Sequence, residues 1–142
     1  MSVEETLVIV KPDGVARNLT GEILRRIEAK GYQLVDIRLV EADIDLLSRH
    51  YEEHVGKPFY EPLVEFMESG PVVVVRVAGN RVIEGFRSLA GTTDPTTAAP
   101  GTIRGDLGRD RGLKVQQNLV HGSDSPESAE RELALWFPAA EH

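Results

Sequence analysis

His121 has the widest chemical reach of any residue in this sequence. It lies in Asn118-Leu119-Val120-His121-Gly122-Ser123-Asp124, where bulky apolar residues give way to small polar ones. At such a strand end an imidazole meets little crowding on its Gly122 side and can act as nucleophile, proton carrier or metal ligand. A histidine bonded only to its neighbours would carry the same local sequence, so its partners must come from elsewhere. The residues able to join it are Lys11 at the exit of an apolar run, the hydroxyls of Tyr51 and Thr93, the guanidinium groups of Arg87 and Arg104, and the amide of Asn118. Cations converging with hydroxyl and amide donors make an anion site. Phe59, in the loop Gly56-Lys57-Pro58-Phe59-Tyr60, is either core or a platform for a planar ligand. Spacing alone does not bring these residues together.

Composition narrows the chemistry. The chain has 142 residues, 41% hydrophobic and 27% charged, as expected of one domain over residues 1–142 with a core of ordinary size. Its formal net charge of −7 argues against attraction to nucleic acid or an anionic membrane, so no specific nucleic acid partner is expected. Positive potential must then be built locally. There is no cysteine, which excludes a disulfide framework, thiolate catalysis and cysteine-ligated zinc. His50 and His54 have the spacing of a helical zinc pair, but Tyr51 stands where a metalloprotease has glutamate, and they read as solvated or hydrogen-bonded side chains. No P-loop, no G-x-G-x-x-G and no protein-kinase signature is present. Met1 to Thr6 lacks an apolar signal segment, and no apolar run approaches the length of a membrane span, so a cytoplasmic protein without a membrane partner is expected.

The elements that must position these residues can be read in outline. Thr6 to Val10 predicts a buried strand, closed by the turn signal Lys11-Pro12-Asp13-Gly14. Ile23, Leu24 and Ile27 make a helical stripe ended by Lys30-Gly31, and Tyr32 to Val40 predicts a second strand. A helix from Asp43 or Asp45 carries His50, Tyr51 and His54, and a third holds Leu63, Val64, Phe66 and Met67. Val72 to Val77 predicts a central strand, followed by a helix capped at Asn80 that carries Arg87 in its last turn. Gly91 to about Lys114 shows no periodicity and predicts a long functional loop. A strand with Leu119 and Val120 follows, then a helix opened by Asp124 or Ser125, with Asp124 the expected cap, and a frayed tail from Pro138 to His142. The order suits an α+β fold, a ferredoxin-like βαββαβ sandwich whose four-stranded antiparallel sheet carries helices to one side. A parallel doubly wound sheet is the alternative.

Five segments in register carry a resemblance. Lys11-Pro12-Asp13-Gly14, His50-Tyr51 with Lys57-Pro58-Phe59, Ser69-Gly70-Pro71-Val72-Val73, Pro100 to Asp106 and Asn118 to Asp124 resemble the nucleoside diphosphate kinase family, from Thr6 to Phe137. The resemblance implies that His121 takes the γ-phosphoryl group of a nucleoside triphosphate and passes it to a nucleoside diphosphate in a ping-pong cycle. It implies that Lys11, Tyr51, Arg87, Thr93, Arg104 and Asn118 hold phosphates and sugar, and that Phe59 stacks on the base. Mg²⁺ would bridge phosphate oxygens rather than sit in a protein cage. Glu132 matches the residue that orients the histidine ring, and Ser123 a hydroxyl beside it. The assembly implied is a homo-oligomer, hexamer rather than tetramer. Leu107 to Gln117 looks longer than the family pattern, which suggests a surface bulge.

Overall fold

The computed structural model describes residues 3–113 and 117–138. Four strands, β1 (Glu4–Val10), β2 (Gln33–Val40), β3 (Val72–Gly79) and β4 (Val120–Gly122), form one sheet in the order β2-β3-β1-β4. Every neighbouring pair is antiparallel, so the parallel alternative is excluded and the ferredoxin-like arrangement holds. Leu7 to Val10 in β1 and Val72 to Val75 in β3 are buried on both sides, which explains their unbroken apolar runs.

Helices cover both faces, not one. Val8, Val10, Val73, Val75 and Val77 pack against α2 (Thr20–Ala29) and α5 (Val82–Ala90), while Leu7, Ile9, Val72 and Val74 pack against α3 (Ile44–His50), α4 (Tyr60–Glu68) and α7 (Pro126–Trp136). A strand alternates its side chains between faces, so a strand apolar at every position needs cover on both. That argument was available from the sequence of β1 and β3. The edge strand β2 has a register irregularity between Leu34 and Asp36, and its Val35, Ile37 and Leu39 stay exposed.

Local differences bear on the site. Lys11-Pro12-Asp13-Gly14 leads into a short helix, α1 (Pro12–Ala16), with proline in its first turn. The segment expected to be one long loop contains α6 (Ile103–Leu107), capped by the Thr102 hydroxyl, which accepts from Gly105 N at 2.9 Å. Five residues are too few to print a helical period. Its irregular flank runs exposed from Arg109 to Leu113, and Lys114 to Gln116 lie outside the described residues. Arg81 in left-handed backbone, not Asn80, precedes α5. α3 ends at His50, and His54 falls in a separate 3₁₀ turn, so the two histidines do not share a helix face. Of the tail expected to fray, Pro138 is described and 139–142 lie outside the described residues.

Candidate active site

The sequence places His121 at a strand end; the structure puts it inside β4, paired with Ile9 of the central strand β1. Pairing gives its backbone a fixed attitude. Gly122 beside it is needed for close packing, since a Cβ there would lie 2.6 Å from Phe86 Cδ2. That contact holds α5, and with it Arg87, against β4. The turn before β4 is held by β1 and α1. Leu119 has φ of 73°, an unusual value for a side chain this large, and its N–H donates to the buried Asp13 carboxylate at 3.1 Å. Lys11 N donates to Leu119 O at 2.8 Å.

His121 Nε2 and Glu132 Oε1 are 2.7 Å apart, with Glu132 buried on α7. Ser123 Oγ donates to the same carboxylate oxygen at 2.9 Å and accepts from Leu7 N at 3.2 Å. A carboxylate accepts, so Nε2 carries the ring proton and the lone pair resides on Nδ1. His121 is thereby a bare, oriented nitrogen nucleophile.

The histidine opens onto a cleft of about 1020 Å³, whose lining includes Lys11, Arg87, Thr93, Arg104 and Asn118. The residues singled out from distant parts of the chain therefore converge. Lys11 Nζ donates to Asn118 Oδ1 at 2.9 Å, and Asn118 Nδ2 to Thr93 O at 3.1 Å. Burial, then the positive charge of Arg104, pull the Lys11 ammonium down to about 8, against an opposing pull from Asp13. Arg104 donates to the carbonyls of Asn118 (3.1 Å), Gly91 (2.9 Å) and Val120 (2.7 Å), leaving two of a guanidinium's five N–H bonds for a ligand. Burial and the nearby Arg87 lower its pKa to about 10. Arg104 is thus a framework residue as well as a cation in the cleft.

Tyr51, Phe59, Ser123 and Glu132 stand outside the lining. Tyr51 is the C-cap just after α3 and lies edge-on to His50, its phenol pushed above the ordinary range by burial and then by Glu132. Phe59 is 46% exposed, which excludes the core reading, and stacks edgewise on His54 at 5.0 Å. Several lining residues escaped the sequence reading, among them His54, Glu84 and Asp124. His54 sits in the cleft wall with its buried Nδ1 unpartnered among the described residues; its closeness to Phe59 in sequence was the available signal. Asp124 was expected to cap α7. The cap is Ser125, whose Oγ accepts from Ser128 N at 3.1 Å, and Asp124 instead forms an ion pair with Arg87 at the cleft.

Fold and cleft define a class: a ferredoxin-like α+β protein whose cleft, with Lys11, Arg87 and Arg104 in its wall, opens onto a bare histidine nitrogen. The nucleoside diphosphate kinase profile matches residues 4–142. Nucleoside diphosphate kinases of Thermobifida fusca and Streptomyces coelicolor are 59% and 60% identical over 136 residues, covering 96% and 95% of this chain and 98% and 96% of theirs. A halophilic nucleoside diphosphate kinase from Halobacterium salinarum, solved in complex with CDP, superposes with a TM-score of 0.91 at 45% identity, over 99% of this chain and 91% of that one. A family member from Babesia bovis gives 0.89 at 44%, over 96% and 90%. The chain belongs to the nucleoside diphosphate kinase family, enzymes that transfer phosphoryl groups between nucleotides.

Proposed function

We propose that His121 is the residue through which this kinase works. Nδ1 attacks the γ-phosphorus of a bound nucleoside triphosphate, an N–P bond forms, and the bond from phosphorus to the β–γ bridging oxygen breaks. The nucleoside diphosphate leaves with that oxygen. A second nucleoside diphosphate then enters, its terminal oxygen attacks phosphorus, and Nδ1 regains its lone pair. No proton moves on the ring, because Nε2 already carries one. The charge that the ring gains on phosphorylation is balanced by Glu132, which Ser123 holds in place. Phosphoryl transfer asks mainly for positioning and charge, and Lys11, Arg87 and Arg104 supply cations where the phosphates would lie, with Thr93 and Asn118 beside them. Tyr51 packs on His54 of the cleft wall, ring centroids 6.1 Å apart, and Phe59 offers an exposed face to the base. Stacking suits any base, in keeping with a broad nucleotide choice.

The cleft's carboxylates are those of Glu84 and Asp124, the latter paired with Arg87. Two such groups do not make the six-oxygen cage of a resident Mg²⁺. They suit an ion that arrives on nucleotide phosphates, which Asp124 and Glu84 would face. When bound, Mg²⁺ neutralises charge on the phosphate oxygens. We further propose a homo-oligomer, for which the uncovered Val35, Ile37 and Leu39 of β2 offer a contact surface; the hexamer follows the family resemblance, and residues 1–142 are proposed as one cytoplasmic domain. No helix among the described residues is long and apolar enough to cross a membrane.

The 2.7 Å contact of His121 with Glu132 at the edge of a cationic cleft carries this reading. Incubation with γ-labelled ATP and Mg²⁺ is expected to leave phosphate on His121, stable to base and labile to acid. Full labelling of His121→Ala would overturn it.

A further inference from the structure

One buried titratable group has no part in the cycle just described. His50, the last residue of α3, is 5% exposed and lies behind His121, with ring centroids 4.8 Å apart and planes at 72°. Trp136 Nε1 on α7 donates to its Nδ1 at 3.0 Å. An indole N–H only donates, so His50 Nδ1 must be bare and the proton of its neutral ring must sit on Nε2. The groups around it do not favour a second proton. Burial, then His121, Arg131, Lys11 and His54, bring its pKa down to about 2, and Tyr51 packs edge-on at 4.6 Å. His50 is therefore a neutral imidazole in one fixed tautomer.

A metal site is the first alternative, because nitrogens of His50 and His121 and an oxygen of Glu132 lie within 4.8 Å of one another. It fails on electron pairs. One His50 nitrogen gives its lone pair to the Trp136 N–H and the other bears the proton, so the ring has none to donate.

We propose that His50, locked by Trp136, is a positioning residue that sets the plane of the His121 ring and so keeps Nδ1 turned toward the cleft. Glu132 alone fixes where Nε2 points but leaves the ring free to swivel about that contact. An edge-to-face neighbour at 4.8 Å removes that freedom. Its neutrality has a second effect. A phosphorylated imidazole carries positive charge on the ring, and a cationic neighbour there would oppose it. The inference rests on His121 being the phosphate acceptor.

The test uses two variants of the full chain, His50→Asn and Trp136→Phe. Asparagine keeps an acceptor for Trp136 and removes the ring; phenylalanine keeps the ring of His50 and frees its tautomer. Imidazole ¹⁵N spectra at pH 7 are expected to show one tautomer for His50 and one, protonated on Nε2, for His121. In Trp136→Phe, His50 becomes a tautomer mixture. In His50→Asn, His121 keeps its Nε2 proton, which Glu132 still accepts, and its ring signals shift and broaden as the plane is freed. Single-turnover phosphorylation by saturating ATP is expected to slow at least tenfold in His50→Asn, with ADP affinity changed less than twofold. A packing role alone would lower the melting temperature and leave rate and spectra intact in the folded protein, and that result overturns the proposal. So does a mixed tautomer for His50 in the parent enzyme, which requires no folded variant. If the parent takes no phosphate on His121, the acceptor reading falls instead, and the spectra still decide the positioning.

Discussion

Lys11 Nζ and Asn118 Oδ1 meet at 2.9 Å across 107 residues of chain, joining the exit of the first strand to the approach to the last. The bond places a desolvated ammonium at the wall of the cleft, where burial and Arg104 bring its pKa to about 8. On the role proposed for Lys11, the free enzyme above that value loses a cation that holds phosphate. ADP affinity is therefore expected to weaken as pH rises through about 8, and the alkaline limb of kcat/KM to lie there as well. A bound phosphate favours the charged form, so the limb of kcat should sit higher. Lys11→Arg keeps its charge through this range, and its affinity profile should be flat to about pH 9, below the region where Arg104 begins to lose its proton. Isothermal titration across this range checks both; a flat profile in the parent would contradict the role given to Lys11.

Glu132→Gln replaces a carboxylate by an amide of the same shape. The contact to His121 Nε2 remains possible, but the charge that balances the phosphorylated ring does not. We expect the rate of phosphorylation to fall about 10²-fold, in the range seen when a positioned electrostatic partner is removed, with KM little changed. Rapid-quench measurement of the first half-reaction distinguishes this from weaker nucleotide binding.

Arg104→Ala should damage the fold along with the chemistry. The side chain satisfies three backbone carbonyls, of Gly91, Asn118 and Val120. Buried acceptors left unpaired cost about 1–3 kcal/mol each, softened where water enters, so a loss of about 2–4 kcal/mol is expected in urea unfolding. ADP affinity should fall too. Arg104→Lys restores charge without the fork of donors and should recover little stability.

His50 makes the fold sensitive to acid. Its folded pKa is about 2, against 6.5 for an ordinary histidine, so below pH 6.5 the unfolded chain takes a proton that the native state refuses. Stability is full above pH 6.5 and falls as pH drops, by up to about 1.4 kcal/mol per pH unit for this group. His50→Gln, which cannot titrate, should show a shallower loss between pH 6.5 and 4.5 by urea midpoint. Equal slopes would mean that His50 charges in the folded protein.

Much of the architecture was legible before any coordinates. Period and punctuation placed the strands of Thr6 to Val10 and Val72 to Val77 and the helices carrying Ile23 and Phe86, because each is long enough to repeat its pattern. α6 was not legible. Its five residues complete barely one turn, and it is held by the Thr102 cap, buried Ile103 and the 2.8 Å pair of Asp106 with Arg26 on α2, a partner 80 residues away. Asp124 illustrates another limit. Aspartate before Ser125-Pro126 is a sound helix cap by local rules, but Arg87 on a different helix competes for its carboxylate and takes it.

By itself the sequence determined the kinds of chemistry available: an uncrowded histidine, no thiols, an acidic chain with a few cations at element ends, and motifs that resemble one kinase family. These are properties of residue type and local spacing. Tertiary structure alone decided that Lys11, Arg87, Arg104 and Asn118 share one cleft, that Glu132 claims Nε2 of His121, and that His50 is a neutral ring locked behind it. The reason is physical. Convergence, tautomer and burial depend on contacts between residues up to 116 positions apart, and only the packed sheet and its helices supply those.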